Sequence, residues 1–293
     1  MVTELFPTIV IGVDGSPGGT SALQWGLALA EQRHAPVRLV HAFAPGMSDL
    51  RIGGGNDIGL VGDALAAARD LLEQALEQAT SRHPALSIIS RLVDDAAASA
   101  LIEESREAAV IVLGAHGARG FSNLVAGSTT MNVASHAHCT VVAVPTGLTD
   151  ASEGKGIVVG VDGSEVTKAA IGFAFHEAAS TGQAVIAVHA WADPVTMSSM
   201  TAPNAQDMAG YSRAREEALT EMLAPWREEH PDVVVTLRVV REHPVHALAA
   251  AADRARLLVV GCRGRGVVRT MILGSVSHGV LHLATCPVAV VHD

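Results

Sequence analysis

The sequence predicts an α/β fold made of two tandem domains, each with a five-stranded parallel sheet and helices on both faces. Short runs rich in Val and Ile, typical of strands buried on both faces, alternate with longer segments of helical periodicity. The whole pattern occurs twice, because IVIGVDGS at Ile9–Ser16 returns as IVVGVDGS at Ile157–Ser164, 148 residues later. Short connections between alternating strands and helices favour a parallel sheet wound with right-handed crossovers.

The duplication sets the domain boundaries. The VHA of Val40–Ala42 also returns 148 residues later, at Val188–Ala190, and a shift this constant indicates two copies of one domain. The seam between the copies is rich in Gly, Ser and Asp, as linkers are. We therefore expect domains at 1–146 and 155–293, joined by residues 147–154.

Local sequence signals predict each strand and helix of the first copy. Thr8–Val13 is an unbroken run that ends at a glycine, after which Ser16 can cap a helix with Pro17 in its first turn. Apolar residues at helical spacing continue that helix until Pro36 ends it. The other predicted elements are strand Val37–Phe43, helix Asp63–Ser81, strand Leu86–Val93, helix Ala96–Glu107, strand Val110–Leu113, helix Gly127–His136 and strand Thr140–Val144.

The second copy repeats this order of strands and helices for the same reasons. Its predicted strands and helices alternate along the chain and lead to a fifth, apolar strand. They are Gly156–Val161, Val166–Ser180, Ala184–Ala190, Gly210–Glu229, Val233–Val240, Val245–Ala255, Leu257–Val260, Gly274–Leu283 and Pro287–Val291.

Composition and charge exclude several classes of protein. Of the 293 residues, 49% are apolar and 3% aromatic, so the chain is neither disordered nor collagen-like and its core consists of aliphatic residues. Thirty acidic residues against twenty basic ones give a net charge of −10, and both halves are acidic. No basic surface for a nucleic acid is therefore expected.

Three further features of the sequence indicate where in the cell the protein is found. Charge, Gly or Pro interrupts every apolar run before it reaches about 18 residues, so no membrane-spanning helix is expected. Met1–Pro7 has no basic residue ahead of the first apolar run, unlike a secretory signal, and three cysteines cannot form a disulfide framework. We expect a soluble protein of the cytoplasm.

Two aspartates, Asp14 and Asp162, follow the first strand of each copy. A carboxylate at the carboxyl end of a parallel strand lies where such sheets bind ligands, and it can accept hydrogen bonds from a ribose or a purine amino group. The alternative is that each aspartate only opens the turn or caps the next helix. Position alone leaves both interpretations open.

A glycine-rich string follows the fourth strand of each copy. It reads Gly114-Ala-His-Gly117, nine residues and Gly127-Ser128 in the first copy, and Gly261-Cys-Arg-Gly264, nine residues and Gly274-Ser275 in the second. Glycines let the backbone approach a ligand closely, and amides at a helix N-terminus bind anions. One such string would be weak evidence, because a turn followed by an N-cap looks similar; two at matching places indicate a phosphate site.

The VHA sequence ends the second strand of each copy. There a main-chain N–H and C=O can bind the edge of a base, with Val40 or Val188 packed on its face. An ordinary strand end is the alternative interpretation.

With these motifs, the chain resembles a tandem universal stress protein, with copies at about residues 5–146 and 155–292. The G-x₂-G-x₉-G-[ST] string is that family's ATP-binding signature. The resemblance implies an adenine-nucleotide-hydrolase-like, Rossmann-like fold, a role in the cytoplasmic stress response, and ATP bound with its nucleoside on the aspartate, its adenine on the valine main chain and its phosphates on the glycines. The candidate nucleotide-binding residues are Gly12, Asp14, Val40, Gly114, Gly117, Arg119, Gly127 and Ser128, then Gly160, Asp162, Val188, Gly261, Arg263, Gly264, Arg265, Gly274 and Ser275.

The phosphate charge has to be balanced without lysine. No G-x₄-G-K-[ST] string occurs and no Lys lies near either loop, which excludes P-loop chemistry. Backbone amides, a helix dipole of about half a charge and Mg²⁺ are together expected to balance the negative charge of the phosphates. In the first copy His116 and Arg119 are further candidates for this role, and in the second copy Arg263 and Arg265 are. We therefore expect the second site to bind ATP more tightly, which alanine at the second glycine of each loop would test.

These motifs favour a regulatory ATP-binding protein with one site per copy and little or slow hydrolysis, because they supply phosphate binding without a positioned general base. The alternatives are a slow ATPase or autophosphorylating enzyme that uses Ser128 or Ser275, and an interaction protein with empty sites. No resident metal is expected, since the cluster His136, His138 and Cys139 loses both histidines in the second copy.

The last strand of each copy is predicted to take part in assembly. Thr140–Val144 and Pro287–Val291 are apolar, and an uncovered apolar edge strand associates with another. The family resemblance also implies pairing through the last strand. We expect them to pair, either within one chain or between two chains of a homodimer. Residues 52–62 match poorly between the copies, and we interpret them as a flap over the site.

Overall fold

The computed structural model describes residues 8–44, 57–117, 126–148, 154–191, 205–264 and 273–292. The chain divides into two compact units, Met1–Ala151 and Ser152–Asp293. The division falls inside the segment 147–154 that the sequence marks as a linker. In each unit parallel strands form one sheet with helices packed on it, so the predicted fold class is confirmed.

The first unit contains five strands and four helices within its described residues. Its strands lie in the order β3-β2-β1-β4-β5, and neighbouring strands run parallel. Along the chain the elements are β1 (Thr8–Gly12), α1 (Pro17–Arg33), β2 (Val37–Ala42), α2 (Asp57–Arg82), β3 (Ile88–Val93), α3 (Ala97–Glu104), β4 (Ala108–Gly114), α4 (Ser128–His136) and β5 (Thr140–Val144).

The second unit repeats the arrangement. Within the part that the structure describes, its strand order is β10-β9-β6-β7-β8, again parallel. Its elements are β6 (Ile157–Gly160), α5 (Glu165–Thr181), β7 (Val185–Ala190), α6 (Ala205–Glu229), β8 (Val235–Val240), α7 (Pro244–Ala251), β9 (Leu257–Gly261), α8 (Ser275–Leu283) and β10 (Val288–Val291).

The winding of each sheet reverses beside its first strand. The chain runs from β1 outward to β3 and then returns to β4 on the other side of β1. Right-handed crossovers therefore put α1 and α2 on one face and α3 and α4 on the other. A crevice opens at the carboxyl ends of the strands where such a reversal occurs. It lies between β1 and β4 in the first unit, and between β6 and β9 in the second.

Aliphatic side chains form the core, as the composition predicts. Ile9, Val10 and Ile11 on β1 are fully buried, since helices cover both faces of this central strand. The α1 helix begins as the sequence predicts: Pro17 is its first residue, and the Ser16 hydroxyl accepts a hydrogen bond of 2.9 Å from the N–H of Gly19.

The ends of several helices differ from the prediction. The α2 helix begins at Asp57 rather than Asp63, and α6 begins at Ala205 rather than Gly210. In both cases the prediction stopped at a glycine, but one glycine in a helix costs only about 1 kcal/mol and does not end it. The α7 helix ends at Ala251, before Arg254 takes up a left-handed conformation with φ 60°.

The second half of segment 52–62, which the sequence analysis interprets as a flap, is helical. Residues 57–62 form the first turns of α2, and residues 52–56 lie outside the described part of the chain. None of the described helices is both long and apolar enough to cross a membrane.

Cys139 is half-buried and Cys286 is buried, and they lie one and two residues, respectively, before the last strand of their units. Burial raises the pKa of Cys139 from an ordinary 9.0 to about 12, and the pKa of Cys286 likewise to about 12. The folded state therefore holds these protons more tightly than the unfolded chain does. Their contribution to the free energy of unfolding is complete below about pH 9 and is lost as the pH rises towards 12.

We expect neither Cys139 nor Cys286 to react with iodoacetamide at pH 8 in the folded protein, because the thiolate is the reactive form and burial suppresses it. Mass spectrometry of the labelled peptides measures the result, and the same chain in urea is the positive control. Rapid labelling of either thiol in the folded protein would contradict the expectation.

Candidate functional site

A cavity of ≈ 340–490 Å³ lies at the carboxyl ends of the strands in each unit, within the range of small-molecule sites. The first, of ≈ 490 Å³, is lined by seven of the predicted residues, namely Gly12, Asp14, Val40, Gly114, Gly117, Gly127 and Ser128. The second, of ≈ 340 Å³, is lined by eight, namely Gly160, Asp162, Val188, Gly261, Arg263, Gly264, Gly274 and Ser275. Arg119 and Arg265 lie outside the described residues.

Asp14 takes part in the turn that joins β1 to α1. Its Oδ1 accepts hydrogen bonds from the Ser16 N–H at 3.0 Å and from the Ser16 hydroxyl at 2.6 Å. Between them Gly15 adopts a left-handed φ of 73°, which suits glycine. One oxygen of the carboxylate therefore opens the turn, as the structural interpretation of this residue predicts.

The other oxygen faces the glycine loop. A Cβ built on Gly117 would lie 3.2 Å from Asp14 Oδ2, and a Cβ on Gly264 would lie 2.5 Å from Asp162 Oδ2. The carboxylate therefore lies directly beside the second glycine of the loop in both units. The two interpretations of the aspartate do not exclude each other, because each uses a different oxygen.

The second unit holds its aspartate differently. Asp162 Oδ1 accepts from the Ser164 N–H at 2.9 Å and from the Thr167 hydroxyl at 2.5 Å. Thr167 is buried, lines the cavity, and occupies the position that Gly19 has in the first unit. A Cβ at Gly19 would lie 2.4 Å from Asp14 Oδ1. The first unit thus has room for its carboxylate only because residue 19 is glycine.

In each unit a hydroxyl side chain on the helix after the glycine loop donates a hydrogen bond to the first glycine of that loop. Thr130 donates a hydrogen bond of 2.8 Å to the Gly114 carbonyl, and Ser277 donates one of 2.6 Å to the Gly261 carbonyl. Gly114 also lies against the start of α1, since a Cβ on it would be 2.6 Å from the Gly18 carbonyl carbon. In the first unit, the first glycine of the loop is therefore required by packing against backbone.

The helix that follows the loop presents its N-terminus to the cavity. Gly127 and Gly274 are the N-cap residues of α4 and α8, and neither helix has a side-chain hydrogen bond at its cap. The first bonds within these helices are donated by Met131 and His278, and the N-cap amides of Gly127 and Gly274 donate to Ala115 and Cys262. The amides of residues 128–130 and 275–277 are therefore available to a ligand. Such amides, together with the helix dipole, attract an anion.

The end of β2 carries a histidine that touches β1. His41 Nδ1 lies 2.6 Å from the Val13 carbonyl oxygen, and His189 Nδ1 lies 2.7 Å from that of Val161 in the second unit. The Val40 carbonyl is engaged as well, because it accepts a hydrogen bond of 2.9 Å from the Val13 N–H. The main chain at Val40 is thus already part of the sheet.

Few charged side chains line the cavities. His116 lines the first, and Arg263 takes the corresponding place in the second. In the part of the chain with assigned structure, no group of three or more His, Cys, Asp or Glu side chains is placed to hold a metal ion.

The sequence analysis missed five polar residues at these cavities or beside them. They contribute through side chains that hold backbone or carboxylate groups in place, a role that no short motif reveals. The repeat could have found four of them, since His41 and His189 lie at matching positions, as do the hydroxyl residues Thr130 and Ser277. The five are His41, Thr130, Thr167, His189 and Ser277.

The fold and the cavities together define a two-copy α/β protein with one strand-end cleft in each copy. A model of the universal stress protein family matches residues 6–145 and 154–292, so the chain belongs to the universal stress protein family and carries two of its domains. The family expected from the sequence is confirmed.

Relatives and solved structures agree with this assignment. Universal stress protein Rv2623 of Mycobacterium tuberculosis strain H37Rv is 34% identical over 297 residues, which cover 97% of this chain and 96% of that protein. A universal stress protein of Mycolicibacterium smegmatis is 31% identical over 291 residues, with coverage of 97% and 96%. A crystal structure of an Archaeoglobus fulgidus universal stress protein matches with a TM-score of 0.67 and 19% identity over 98% of this chain and 96% of that chain, which shows a common fold.

Proposed function

We propose that this protein binds adenine nucleotides, one in each unit, and acts as a regulatory ATP-binding protein rather than as a fast enzyme. The observation that carries the proposal is the repeated geometry: in both units an aspartate, a glycine loop and an uncapped helix N-terminus surround one cavity. The glycine string is also the ATP-binding signature that the family resemblance implies.

In this proposal the phosphates lie on the glycine loop and on the first amides of α4 or α8, where the helix dipole favours negative charge. Asp14 or Asp162 contacts the nucleoside, and the base lies over the end of β2 or β7. Mg²⁺ would reach the site with ATP, bound by phosphate oxygens and water. The residues present fit such a ligand, because the loop can approach phosphates and apolar residues line the other end of each cavity.

Calorimetry tests the proposal on the full chain after bound nucleotide has been removed. We expect MgATP to bind at two sites per chain, and Asp14→Ala or Asp162→Ala to remove one site each. Asp94→Ala is the matched control, because this exposed carboxylate does not line either cavity. We also expect the site with Arg263 to bind more tightly than the site with His116. A chain that binds no nucleotide in either unit would refute the proposal.

Phosphoryl transfer from ATP is the second candidate activity, either to water or to the exposed hydroxyl of Ser128 or Ser275 at the start of α4 and α8. Either hydroxyl could accept a phosphoryl group from ATP, with ADP as the leaving group, but the proposal assigns both site aspartates, Asp14 and Asp162, to the nucleoside, so neither is positioned as a general base. We therefore expect phosphate release well below about 1 s⁻¹, the low end of ordinary turnover. Faster release, measured at steady state, would make the protein an enzyme.

The cellular setting follows the family resemblance. We propose that the protein works in the cytoplasm as part of a stress response. We also propose that it associates through β5 and β10, within the chain or as a homodimer.

A further inference from the structure

The two helices that pack together on one face of the second unit carry histidines that the first unit lacks. The α7 and α8 helices are in close contact, since a Cβ on Gly279 would lie 2.6 Å from a side-chain carbon of Val245. Four histidines lie on these helices or directly before them, and none of the matching positions in the first unit is a histidine. The four are His243, His246, His278 and His282, and their counterparts are Ala96, Ser99, Met131 and Ser135.

Two of the four histidines form a close pair on α8. His278 and His282 are four residues apart, so their side chains are neighbours on the same face of the helix. His278 is exposed and His282 is half-buried. Their ring centres lie 4.7 Å apart, with an angle of 61° between the ring planes. A small ion can therefore reach both rings from solvent.

The separation of these rings suits two imidazoles bound to one metal ion. A Zn–N bond of about 2.0–2.1 Å puts the metal about 3.2 Å from the centre of each ring. With an angle at the metal between about 90° and 109°, as in square-planar, octahedral or tetrahedral coordination, the ring centres would lie about 4.5–5.2 Å apart. The observed 4.7 Å lies within this range. An imidazole has two nitrogens, so a hydrogen bond at one leaves the other to bind a metal.

The histidines at the start of α7 do not meet this condition. The ring centres of His243 and His246 lie 5.6 Å apart, beyond the range that one metal ion allows. His243 is also the N-cap residue of α7, so the two side chains are not stacked on one helix face. The pair on α8 is therefore the candidate site.

The position of the pair along α8 favours a cation. His282 lies in the last turn of the helix, where the helix dipole places partial negative charge. Among the residues that the structure describes, no third His, Cys, Asp or Glu joins the pair, so water would complete the coordination of an ion. Imidazole nitrogens suit Zn²⁺, Cu²⁺ and Ni²⁺, whereas Mg²⁺ and Ca²⁺ prefer oxygen ligands.

We propose that His278 and His282 form a binding site for a divalent transition-metal ion of the Zn²⁺, Cu²⁺ and Ni²⁺ class at the surface of α8. Neither side chain lines the second cavity, so the site is separate from the proposed nucleotide site and does not depend on it. The ion joins two successive turns of α8 and thereby holds the end of the helix that begins at the glycine loop.

Calorimetry with Zn²⁺ tests the proposal on the full chain, prepared without a polyhistidine tag and freed of metal and nucleotide. We expect one Zn²⁺ to bind per chain more tightly than the weak background that the fourteen histidines provide. Mg²⁺ at the same concentration should not compete for this site. Electron paramagnetic resonance with Cu²⁺ gives a second measurement, because the spectrum reports how many imidazole nitrogens bind the ion, and we expect two.

Substitution of each histidine assigns the site. His278→Gln and His282→Gln each remove one ligand and keep a polar side chain on the helix surface, and circular dichroism checks that both variants fold. We expect each to weaken Zn²⁺ binding about tenfold or more, because the second ligand no longer acts at the high effective concentration that the helix provides. His176→Gln is the matched control, since His176 is an exposed histidine of α5 with no other histidine on its helix.

Three results would overturn the inference. The first is the absence of a Zn²⁺ site above background in the unsubstituted chain. The second is a loss of less than tenfold in either variant, or an equal loss in His176→Gln, which would place the metal elsewhere. The third is a Cu²⁺ spectrum with a single imidazole nitrogen. None of these results bears on nucleotide binding, so failure here leaves the proposed function to its own test.

Discussion

Replacing Glu104 by alanine is expected to lower the free energy of unfolding of the first unit by about 2–4 kcal/mol. Its side chain on α3 is only 3% exposed, and it accepts from Arg38 on β2 and from Arg91 on β3, each at 2.5 Å. The substitution leaves both guanidinium groups without this partner. Arg91 is 59% exposed and can turn to water, so we expect less than the full cost of breaking a buried pair.

Urea denaturation measures this change, with hydrogen exchange to assign it to the first unit. Glu103→Ala is the matched control, because the neighbouring Glu103 on the same helix pairs with Arg106 at the surface. An exposed pair of this kind contributes less than about 1 kcal/mol. Equal effects of the two substitutions would show that the Glu104 cluster does not stabilise the fold.

Alanine at Gly264 is expected to weaken nucleotide binding in the second unit about tenfold or more. The new Cβ would lie 2.5 Å from Asp162 Oδ2, so either the carboxylate or the loop must move, and overpacking of this kind costs about 1–3 kcal/mol. Gly117→Ala in the first unit should cost less, because its Cβ would lie 3.2 Å from Asp14 Oδ2. Calorimetry with MgATP measures both losses.

Gly210→Ala is the control, since nothing lies within 4 Å of a Cβ added there. A larger loss for Gly117→Ala than for Gly264→Ala would contradict the steric argument. This pair of variants does not isolate the charge of the loops, because the contact between the new Cβ and the aspartate differs between the units. Exchanging His116 and Arg263 is the cleaner test of charge.

The fold could be predicted because its causes are local. A β-branched run such as Thr8–Gly12, a capping serine and a proline in the first turn act over a few residues, and the duplication supplies each element twice. The errors fall where the local cause is weak. Glycine in α2 and α6 lowers helix propensity without ending a helix, and packing on the sheet decides the outcome.

The candidate site was predictable only in part. The aspartates and glycines stand out because their residue types suit a turn or a close backbone approach, and the structure places all those in the described region around the cavities. The contacts of His41 and Thr167 were not predictable, since each depends on the distance between two segments in the folded chain. The binding roles themselves stay predictions until the nucleotide experiments are made.

Each cavity is lined by residues of a single unit, and this separation has a functional consequence. A substitution in one cleft, such as Thr167 in place of the glycine at position 19, leaves the composition of the other untouched. If both cavities bind nucleotide as proposed, the affinity of one site can therefore change while that of the other is retained. With unequal dissociation constants, a single polypeptide would register both scarcity and abundance of the same metabolite.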